Sequence, residues 1–495
     1  MPAEAVLATD EIVPAQAVRD GVLGSHIDGI WEEPEERELV DDSNPAAPAE
    51  TLVRVVRATA ADAERALRAA AAAQSSWRAT SPLARAAILR DAAALLRERA
   101  EAAATAMTLE EGKPLAEARG EVARAAELIE ATAALVYQPE GAVYAPRRHE
   151  QWLMTARAPL GVVVAISPWN FPLLIPAWKI APALLAGNTV VLKPAELTPL
   201  SAAHLVDALT TAGIPAGVLN LVYGSGSALG PAVLQPPAAA VTFTGGNETG
   251  RAVAQAAVQH HLKFQLELGG NNPVLVLEDA DLDLAVREIV AGAVSGSGQK
   301  CTATRRVYVQ RSVHADVVDR LRGALGAIKP TPGLDPGCTL GPLVSSVARD
   351  DYLAAVARVA KVAAAETFAD ARDDGYYVVP RLVLDADHDA PELGEEIFGP
   401  LVAVFVVEDL DDGIRRCNAT PYGLSASLFS RSLGSALRFA EHIDAGMVHV
   451  NSQTTGAEPH LPFGGTKRSS SFSREVGRHG LEFFSQIKTL YLEGS

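Results

Sequence analysis

The chain has 495 residues, of which 48% are hydrophobic and 21% charged, and its formal net charge is −17. This length is too great for one simple core, so we expect two or three domains. The negative charge excludes nucleic acid and anionic membrane surfaces as expected partners, because both are negatively charged themselves. The three cysteines, Cys301, Cys338 and Cys417, are widely spaced, which argues against disulfides or a zinc knuckle and fits a reducing cytoplasm.

The N-terminal stretch 1–16 is acidic and lacks a basic region followed by an apolar one, so we expect no secretory signal. Between residues 160 and 192 the only charge is Lys179, which superficially resembles a membrane span. Four prolines interrupt this run, so we predict a strand, a loop, a helix and a strand inside a large core instead.

The predicted elements begin with helices. Residues 60–107 are rich in alanine and have apolar positions at helical spacing, which predicts two or three helices with a break at 80–85. A further helix is predicted at 115–137. From 161 to 244, short β-branched runs alternate with helical segments, and this pattern predicts βαβ units in a parallel sheet.

A second alternating series runs from 272 to 450, so we predict two α/β layers with a break near Leu268–Asn272. Two segments fit neither series: 141–159 predicts an extended hairpin, and 484–492 predicts a terminal strand. Such elements leave unpaired edges, and we expect them to pair with another subunit.

Three short stretches carry side chains suited to acyl chemistry. GSGQKCTA places Cys301 among small and polar residues, as a thiolate nucleophile requires, although a lone cysteine is more often a buried apolar residue. In QLELGGNNP, Glu267 ends a strand where a sheet opens into a crevice, with a strand cap as the alternative. In ISPWNFP, Asn170 sits in a turn, either as an oxyanion donor or as an ordinary Asx turn.

Three further stretches indicate nucleotide contacts, each weakly by itself. VVLKPAELTP ends a strand with Lys193 and then Glu196, which suit phosphates and ribose hydroxyls. FTGGNETG opens a helix after a strand, in the manner of a phosphate-binding turn, but it lacks the GxGxxG spacing. EEIFGP places Glu396 and Phe398 at a turn, where a charged residue is usually just solvated.

Taken in order, the motifs PWNFP, KPAE, FTGG with TG, ELGGNNP, GQKCTA, EEIFGP and PFGG resemble the NAD(P)+-dependent aldehyde dehydrogenase superfamily over about residues 25–492. The resemblance implies an α/β fold with a Rossmann-like cofactor domain, an α/β catalytic domain and a β-hairpin oligomerisation arm. It places the cofactor domain at 1–140 and 160–267, the catalytic domain at 268–448, the arm at 141–159 and 484–495, and a returning segment, packed on the cofactor domain and lining the substrate tunnel, at 449–483. It also implies a homodimer or homotetramer acting on a small-molecule aldehyde.

The resemblance further implies the roles of individual residues. Cys301 would be the nucleophile, Glu267 the general base, and Asn170 the oxyanion donor together with the backbone N–H of Cys301. The residues that it assigns to the cofactor are Ser167, Trp169, Lys193, Glu196, Gly226, Gly230, Phe243, Gly245, Gly246, Leu268, Glu396 and Phe398. The residues that it assigns to a substrate tunnel are Trp178, Arg124, Thr302, His460 and Phe463. No metal is implied.

The implied reaction is oxidation of an aldehyde to a carboxylic acid through a cysteine thiohemiacetal and a thioester. We expect NAD+ to be preferred, with NADP+ as the alternative, because the Glu196 carboxylate would repel a 2′-phosphate by about 4 kcal/mol at 4 Å before relaxation. Gly246 stands where the family usually has serine, so a pyrophosphate contact worth about 1 kcal/mol is lost.

The stretches around Asn170, Cys301 and residues 469–491 resemble the branch that contains 2-oxoglutarate semialdehyde (2,5-dioxopentanoate) dehydrogenases, which implies an ω-oxo acid substrate. Trp178 stands where succinate semialdehyde dehydrogenases carry a carboxylate-binding arginine, so Arg119 or Arg124 would have to serve instead. The alternatives are oxidation of a general aliphatic or aromatic aldehyde, or a cofactor-free cysteine acyl hydrolase.

Overall fold

The computed structural model describes residues 12–14, 16–33 and 37–493. Most of the N-terminal stretch in which no signal is expected, and the last two residues of the expected arm, lie outside the described residues. None of the helices in the described part of the chain has the length and apolar character that a membrane span requires. The apolar run 160–192 forms a strand, a helix and a second strand, as its prolines predicted.

Four helices precede the first large sheet, and they begin and end at recognisable signals. Thr59 and Asp62 form a capping box at the start of the first helix, and Ser81 with Pro82 starts the second. Gly112, with a φ of 93°, ends the third helix in the left-handed region that favours glycine. The four helices are Ala60–Ala79, Pro82–Glu98, Ala100–Glu111 and Leu115–Ala134.

The first large sheet has seven strands, and five consecutive ones, counted from one edge, run parallel. Three of these five, Val162–Ile166, Thr189–Lys193 and Ala238–Thr244, have buried apolar side chains on both faces, as a sheet covered by helices on each side requires. Two short antiparallel strands complete one edge. In spatial order the strands are Lys263–Glu267, Ala238–Thr244, Val162–Ile166, Thr189–Lys193, Leu219–Leu221, His26–Ile27 and Ile30–Trp31.

The second large sheet also has seven strands, all parallel except one antiparallel edge strand. Its first strand in the chain begins five residues after the last strand of the first sheet ends, so the gap spans 268–271. In spatial order the strands are Ala364–Thr367, Arg381–Leu384, Leu401–Val407, Thr304–Gln310, Asn272–Val276, Ser425–Phe429 and Met447–Val450.

A third sheet joins the predicted hairpin to the end of the chain. The strand Ser485–Glu493 pairs antiparallel with Gln151–Pro159 over nine residues, and Val143–Tyr144 pairs with the other side of that strand. The hairpin and the terminal strand therefore pair with each other within the chain. Among the described strands of this sheet, the two outer ones, Val143–Tyr144 and Ser485–Glu493, each have one edge without a paired strand.

The remaining elements complete the layers and connections. Four short strands form a small sheet near the N-terminus, Val18–Arg19, Val22–Leu23, Thr51–Val56 and Leu39–Ser43, and a two-stranded sheet pairs Tyr422–Gly423 with Thr466–Lys467. The remaining helices are Leu174–Leu185, Pro199–Thr211, Gly226–Val233, Asn247–Gln259, Leu282–Val294, His314–Gly326, Ser346–Val359, Pro391–Gly394, Leu410–Asn418, Leu433–His442 and Gly477–Phe483.

Candidate active site

The site lies where the carboxyl ends of the parallel strands of the first sheet meet the loop that leads into the second sheet. Ser167, Lys193, Gly245 and Glu267 each end or directly follow one of four neighbouring parallel strands, so they share one edge of the sheet. Ligand crevices of open α/β sheets form at this edge.

The loop before Cys301 is held in an unusual conformation. Gly296, Ser297 and Gly298 are consecutive residues with positive φ, of 60°, 55° and 70°, so Ser297 adopts a conformation that residues other than glycine rarely occupy. A Cβ at Gly298 would overlap the backbone of Gly399, so the missing side chain lets this loop lie against the EEIFGP turn. The close approach brings two distant motifs to one site.

The backbone of Cys301 is fixed from the neighbouring sheet. Asn272 Nδ2 donates to the carbonyl oxygen of Cys301 at 2.8 Å and to that of Ala303 at 2.9 Å. A Cβ at Gly270 would overlap the same Cys301 carbonyl, which explains a glycine in the ELGG motif. The Cys301 side chain is partly buried and lines a cavity of about 400 Å³.

Burial, together with the nearby carboxylates of Glu396 and Glu267, raises the pKa of the Cys301 thiol to about 12. Backbone N–H groups of Cys301 and Thr302 act in the opposite direction. In the absence of ligands the thiol is therefore protonated at neutral pH.

Asn170 lies directly beside the Cys301 loop. Its Nδ2 donates to the carbonyl oxygen of Gln299 at 2.8 Å, and its backbone carbonyl oxygen accepts a hydrogen bond from Lys113 Nζ at 2.7 Å. An amide has two N–H donors, so one remains for a ligand at the thiol. The side chain is buried and oriented by Gln299, while Lys113 fixes the backbone of the same residue.

Lys113, which donates to the backbone carbonyl of Asn170, belongs to a buried ion pair. Lys113 Nζ lies 2.7 Å from Glu121 Oε2, and Glu121 Oε1 accepts the N–H groups of Leu173 and Leu174 at 3.1 Å each. Those N–H groups belong to the start of the helix Leu174–Leu185, where a carboxylate also opposes the positive end of the helix dipole. The sequence analysis did not identify this pair.

The Glu267 side chain is 1% exposed. Its Oε2 accepts a hydrogen bond from Ser470 Oγ at 2.6 Å, and its Oε1 has no hydrogen-bond partner in the described part of the chain. Burial raises the pKa of Glu267 well above its usual range, and the charge of Glu475 adds to the effect. The carboxyl thus holds a proton more readily than an exposed one, and one of its oxygens is uncommitted.

Next to Glu267 lies a second buried ion pair that the sequence analysis also missed. Lys179 Nζ contacts Glu475 Oε1 at 2.5 Å and Thr242 Oγ1 at 3.0 Å. Burial lowers the pKa of Lys179, and the Glu475 carboxylate opposes that shift. A signal was present, since Lys179 is the only charge in a 33-residue apolar run, and a buried charge requires a partner.

The residues expected to hold the nicotinamide side of a cofactor surround one cleft of about 770 Å³. Trp169, Glu396 and Phe398 line it, with the Trp169 and Phe398 rings edge to face at 5.5 Å between centroids. Glu396 Oε1 accepts the N–H of Gly270 at 2.9 Å. Burial raises the pKa of Glu396 to about 7, although that hydrogen bond lowers it.

The residues expected to hold the phosphates surround the start of the helix Asn247–Gln259. Gly246 is its N-cap and makes no side-chain hydrogen bond there, so the first N–H groups stay available to an anion. A Cβ at Gly245 would lie 2.6 Å from the Phe243 ring. Leu268 likewise fills the space beside Gly250, whereas Gly226 and Gly230 have no atoms within 4 Å of the position of a Cβ.

The residues expected at the adenosine ribose are less accessible than those at the phosphates. Lys193 is buried, and its Nζ donates to the carbonyl oxygen of Pro194 at 3.0 Å. Burial lowers the pKa of Lys193, while Glu196 opposes the shift. The Glu196 carboxylate lies 4.0 Å from Arg57, and the buried Oγ of Ser167 has no partner among the described residues. Open helix N–H groups, a lined cleft and this unpaired hydroxyl together fit a dinucleotide.

Four of the five residues expected in the substrate tunnel line the cavity at Cys301, namely Arg124, Trp178, Thr302 and Phe463. His460 is not among the residues that line this cavity, so its place at the tunnel mouth stays a prediction. Its side chain is exposed, and its backbone carbonyl packs against Gly477. Arg119 does not reach the cavity either, because its guanidinium pairs with Glu101 at the surface.

A thiol that lines a cavity, a buried carboxyl and a nearby cleft whose lining fits a dinucleotide are the features of a nicotinamide-dependent oxidoreductase that works through a covalent cysteine intermediate. The chain belongs to the aldehyde dehydrogenase family, and the sequence profile of that family matches residues 31–490. It is 38% identical over 474 residues to an alpha-ketoglutaric semialdehyde dehydrogenase of Bacillus subtilis (strain 168), covering 94% of this chain and 97% of that protein.

Two further proteins give the same result. A 2,5-dioxopentanoate dehydrogenase of Saccharolobus solfataricus is 36% identical over 456 residues, covering 91% of this chain and 95% of that protein. The crystal structure of a betaine aldehyde dehydrogenase point mutant from Staphylococcus aureus in complex with NAD+ superposes with a TM-score of 0.92 at 32% identity, covering 95% of this chain and 96% of that one. The predicted family and α/β fold are confirmed. The chain is an NAD(P)+-dependent aldehyde dehydrogenase that oxidises an aldehyde to a carboxylic acid.

Proposed function

We propose that Cys301 attacks the aldehyde carbon and that Asn170 stabilises the oxyanion of the resulting thiohemiacetal. The free N–H of the Asn170 amide and the backbone N–H of Cys301 are the donors that would contact this oxygen. Because the Cys301 thiol is protonated at neutral pH without ligands, attack requires that its proton leave first. Cys301 lines the cavity, so this proton would pass to water there.

The proposed role of Glu267 is release of the acid. In its ionised form, its uncommitted Oε1 would take a proton from the water that attacks the thioester carbon, the C–S bond breaks, and the thiol of Cys301 is restored. Burial raises the pKa of Glu267, so a proton taken by the carboxylate is held more strongly than on an exposed one, while the ionised fraction of the free carboxyl is smaller. Ser470 would hold the other oxygen during the step.

For the cofactor we propose NAD+ as the preferred species and NADP+ as the alternative. The nicotinamide group, when bound, accepts a hydride. Glu196 and Lys193 would contact the adenosine ribose, the N–H groups after Gly246 the pyrophosphate, and Glu396 the nicotinamide ribose. A 2′-phosphate would meet the Glu196 carboxylate, and this repulsion favours NAD+.

We propose an ω-oxo acid, a short aldehyde that carries a carboxylate at its other end, as the substrate. The observation that carries this proposal is charge: the cavity at Cys301 contains the cations Arg124 and Lys300 and a single anion, Glu117. Arg124 has no ion-pair partner among the described residues. The names of the two similar proteins above, an alpha-ketoglutaric semialdehyde dehydrogenase and a 2,5-dioxopentanoate dehydrogenase, support the same class of substrate.

We also propose a homodimer or homotetramer in the cytoplasm, with the domain bounds given by the sequence. The gap at 268–271 between the two large sheets supports the boundary at 267 and 268. Backbone hydrogen bonds from Leu268 to Ser469 and from Ser471 to Leu266 support a returning segment on the cofactor domain.

The test is a panel of aldehydes with both cofactors, followed by the absorbance of reduced nicotinamide. We expect kcat/KM for 4-oxobutanoate and 2,5-dioxopentanoate to exceed that for butanal and pentanal by about tenfold or more, and NAD+ to be favoured over NADP+ by about tenfold, or roughly 1.4 kcal/mol. Equal rates on charged and neutral aldehydes would contradict the substrate class. A clear NADP+ preference would contradict the proposed cofactor, and ester hydrolysis without nicotinamide reduction would favour an acyl hydrolase.

A further inference from the structure

Lys300 directly precedes the nucleophile and lines the same cavity. Its Nζ donates to Glu117 Oε2 at 3.0 Å and to Ser295 Oγ at 2.8 Å. An ammonium group has three N–H donors, so one is left over. The Lys300 side chain is 12% exposed, which means that this donor faces the cavity more than bulk water.

The position of Lys300 is fixed rather than loose. Its stem packs on Gly296, where a Cβ would lie 2.8 Å from the Lys300 Cε. Glu117 Oε1 accepts the N–H of Gly296 at 3.1 Å, so one carboxylate holds both the lysine and the loop that carries the nucleophile. The Nζ also lies 5.7 Å from the centroid of the Phe171 ring.

The charges that line the cavity do not cancel. Arg124 and Lys300 are positive and Glu117 is negative, so the lining carries one net positive charge. This balance suits a monoanion, because a neutral aldehyde gains nothing from it and a group with further negative charge meets Glu117.

We propose that Lys300 is a specificity residue that binds the far carboxylate of a short ω-oxo acid through its free N–H, and this proposal rests on the proposed function. Glu117 would hold Lys300 in place and, as a neighbouring anion, reduce the attraction between Lys300 and that carboxylate. Arg124, at the exposed end of the cavity, is a second and more distant contact.

Chain connectivity limits the length of such a substrate. Adjacent Cα atoms are about 3.8 Å apart, and side-chain bonds are about 1.5 Å long, so Lys300 Nζ and Cys301 Sγ are at most roughly 13 Å apart. A four- or five-carbon oxo acid, with a hydrogen bond at one end, bridges a separation of roughly 10 Å, which lies within this limit. An extended chain of about ten carbons or more carries its carboxylate beyond the reach of Lys300.

Two substitutions with opposite expected effects test the proposal. The readout is the ratio of kcat/KM for 4-oxobutanoate to kcat/KM for butanal, with saturating NAD+. Lys300→Met keeps the stem on Gly296 and removes the charge, so the ratio should fall about tenfold or more, the value of one hydrogen bond to a charged group. Glu117→Gln keeps an acceptor for Gly296 and removes the opposing charge, so the ratio should rise by about threefold.

Two controls separate recognition from damage. Lys300→Arg keeps the charge and should retain most of the ratio. Arg119→Gln removes a cation from the same helix as Arg124 but outside the cavity, and it should leave the ratio unchanged. The fall in Lys300→Met must come from the charged aldehyde alone.

The proposal is overturned if Lys300→Met lowers kcat/KM for both aldehydes equally, since Lys300 would then act only on the loop. It is also overturned if Glu117→Gln lowers the ratio. If Lys300→Met does not fold, the sign of the Glu117→Gln effect alone decides. Failure of the proposed substrate class differs, because the unmodified enzyme would then show no preference for the charged aldehyde.

Discussion

At the scale of single residues, the first consequence concerns the protonation of Cys301. With its pKa raised to about 12 by burial, the thiolate fraction is small at pH 7 and grows about tenfold with each pH unit until the pKa is approached. The rate at which iodoacetamide alkylates Cys301 in the cofactor-free enzyme should therefore rise about tenfold per unit between pH 7 and 10. Peptide mass spectrometry resolves Cys301 from Cys338 and Cys417, and a rate that levels off near pH 8 would show a much lower pKa.

Glu267 gives a second prediction at this scale. In Glu267→Gln the thioester should still form but should hydrolyse slowly, because the amide cannot accept a proton from water. Rapid mixing with NAD+ and aldehyde should thus show a burst of reduced cofactor close to one equivalent per site, followed by turnover slowed about a hundredfold or more. Cys301→Ala should show no burst while still binding NAD+. Equal losses of burst and turnover in Glu267→Gln would mean that Glu267 acts before the thioester is formed.

How far the sequence predicts this site can be judged residue by residue. Cys301, Glu267 and Asn170 each sit in a short local motif, and the structure brings all three to one edge of the first sheet. The contacts that orient these side chains could not be predicted, because the partners are distant in the sequence. Ser470, which donates a hydrogen bond to Glu267, lies 203 positions further along the chain. Lys179 and Glu475 are 296 positions apart, and no local pattern links them. The place of His460 relative to the cavity could not be derived from the sequence, because only tertiary packing decides which side of an extended segment faces a cavity.

At the scale of elements, the start of the helix Leu174–Leu185 depends on two side chains from outside it. Glu121→Ala would remove the acceptor for two helix N–H groups and leave Lys113 with only Glu111, 3.9 Å away. Breaking a buried ion pair on one side costs about 3–5 kcal/mol. We expect a clearly lower denaturation midpoint and a reduced kcat, because Lys113 also binds the carbonyl oxygen of Asn170.

The matched control for this prediction is Glu127→Ala, on the same helix as Glu121 but exposed. It should change neither the midpoint nor kcat. The double variant Lys113→Met with Glu121→Leu should denature at a higher midpoint than Glu121→Ala, since it leaves no lysine without its nearest carboxylate, and Glu111, whose pKa burial raises to about 8, can stay protonated near neutral pH. A single variant as stable as the unmodified enzyme would show that the pair contributes nothing to the helix.

Elements themselves were predictable where their signals are local. The break between the first two helices coincides with Ser81 and Pro82, and the alternation of strands and helices gives both large sheets. Strand pairing was less accessible: residues 484–492 were expected to seek another subunit, yet Ser485–Glu493 pairs within the chain with Gln151–Pro159. More than 320 residues separate these strands, so their pairing is a property of the folded whole rather than of either segment.

At the scale of the whole molecule, the active site is a product of assembly within one chain. The first sheet supplies Asn170 and Glu267, the loop into the second sheet supplies Cys301, and the returning segment closes on both through Ser470 and Glu475. Neither half holds the complete set. Substitutions at the contact of Gly298 with Gly399 should therefore reduce catalysis without touching a reacting group, because they displace the loop before the thiol.

The three-stranded sheet of the arm extends this argument beyond one chain. Ile487 and Tyr491, four residues apart and so on one face of their strand, are 66% and 72% exposed, and Trp152 and Leu492 form an exposed pair on the other face. Large apolar side chains exposed on both faces of one small sheet are uncommon on a protein that stays monomeric. We expect light scattering at micromolar concentration to give the mass of two or four chains for the unmodified enzyme.

The double variant Ile487→Asp with Tyr491→Asp should shift the measured mass toward one chain, because two buried charges cannot be paired across a symmetric interface of like residues. Lys488→Gln, on the opposite face of the same strand, is the matched control and should leave the mass unchanged. If the unmodified enzyme were already a monomer, the exposed residues of the arm would need another explanation, and the third sheet would serve only to tie the end of the chain to its hairpin.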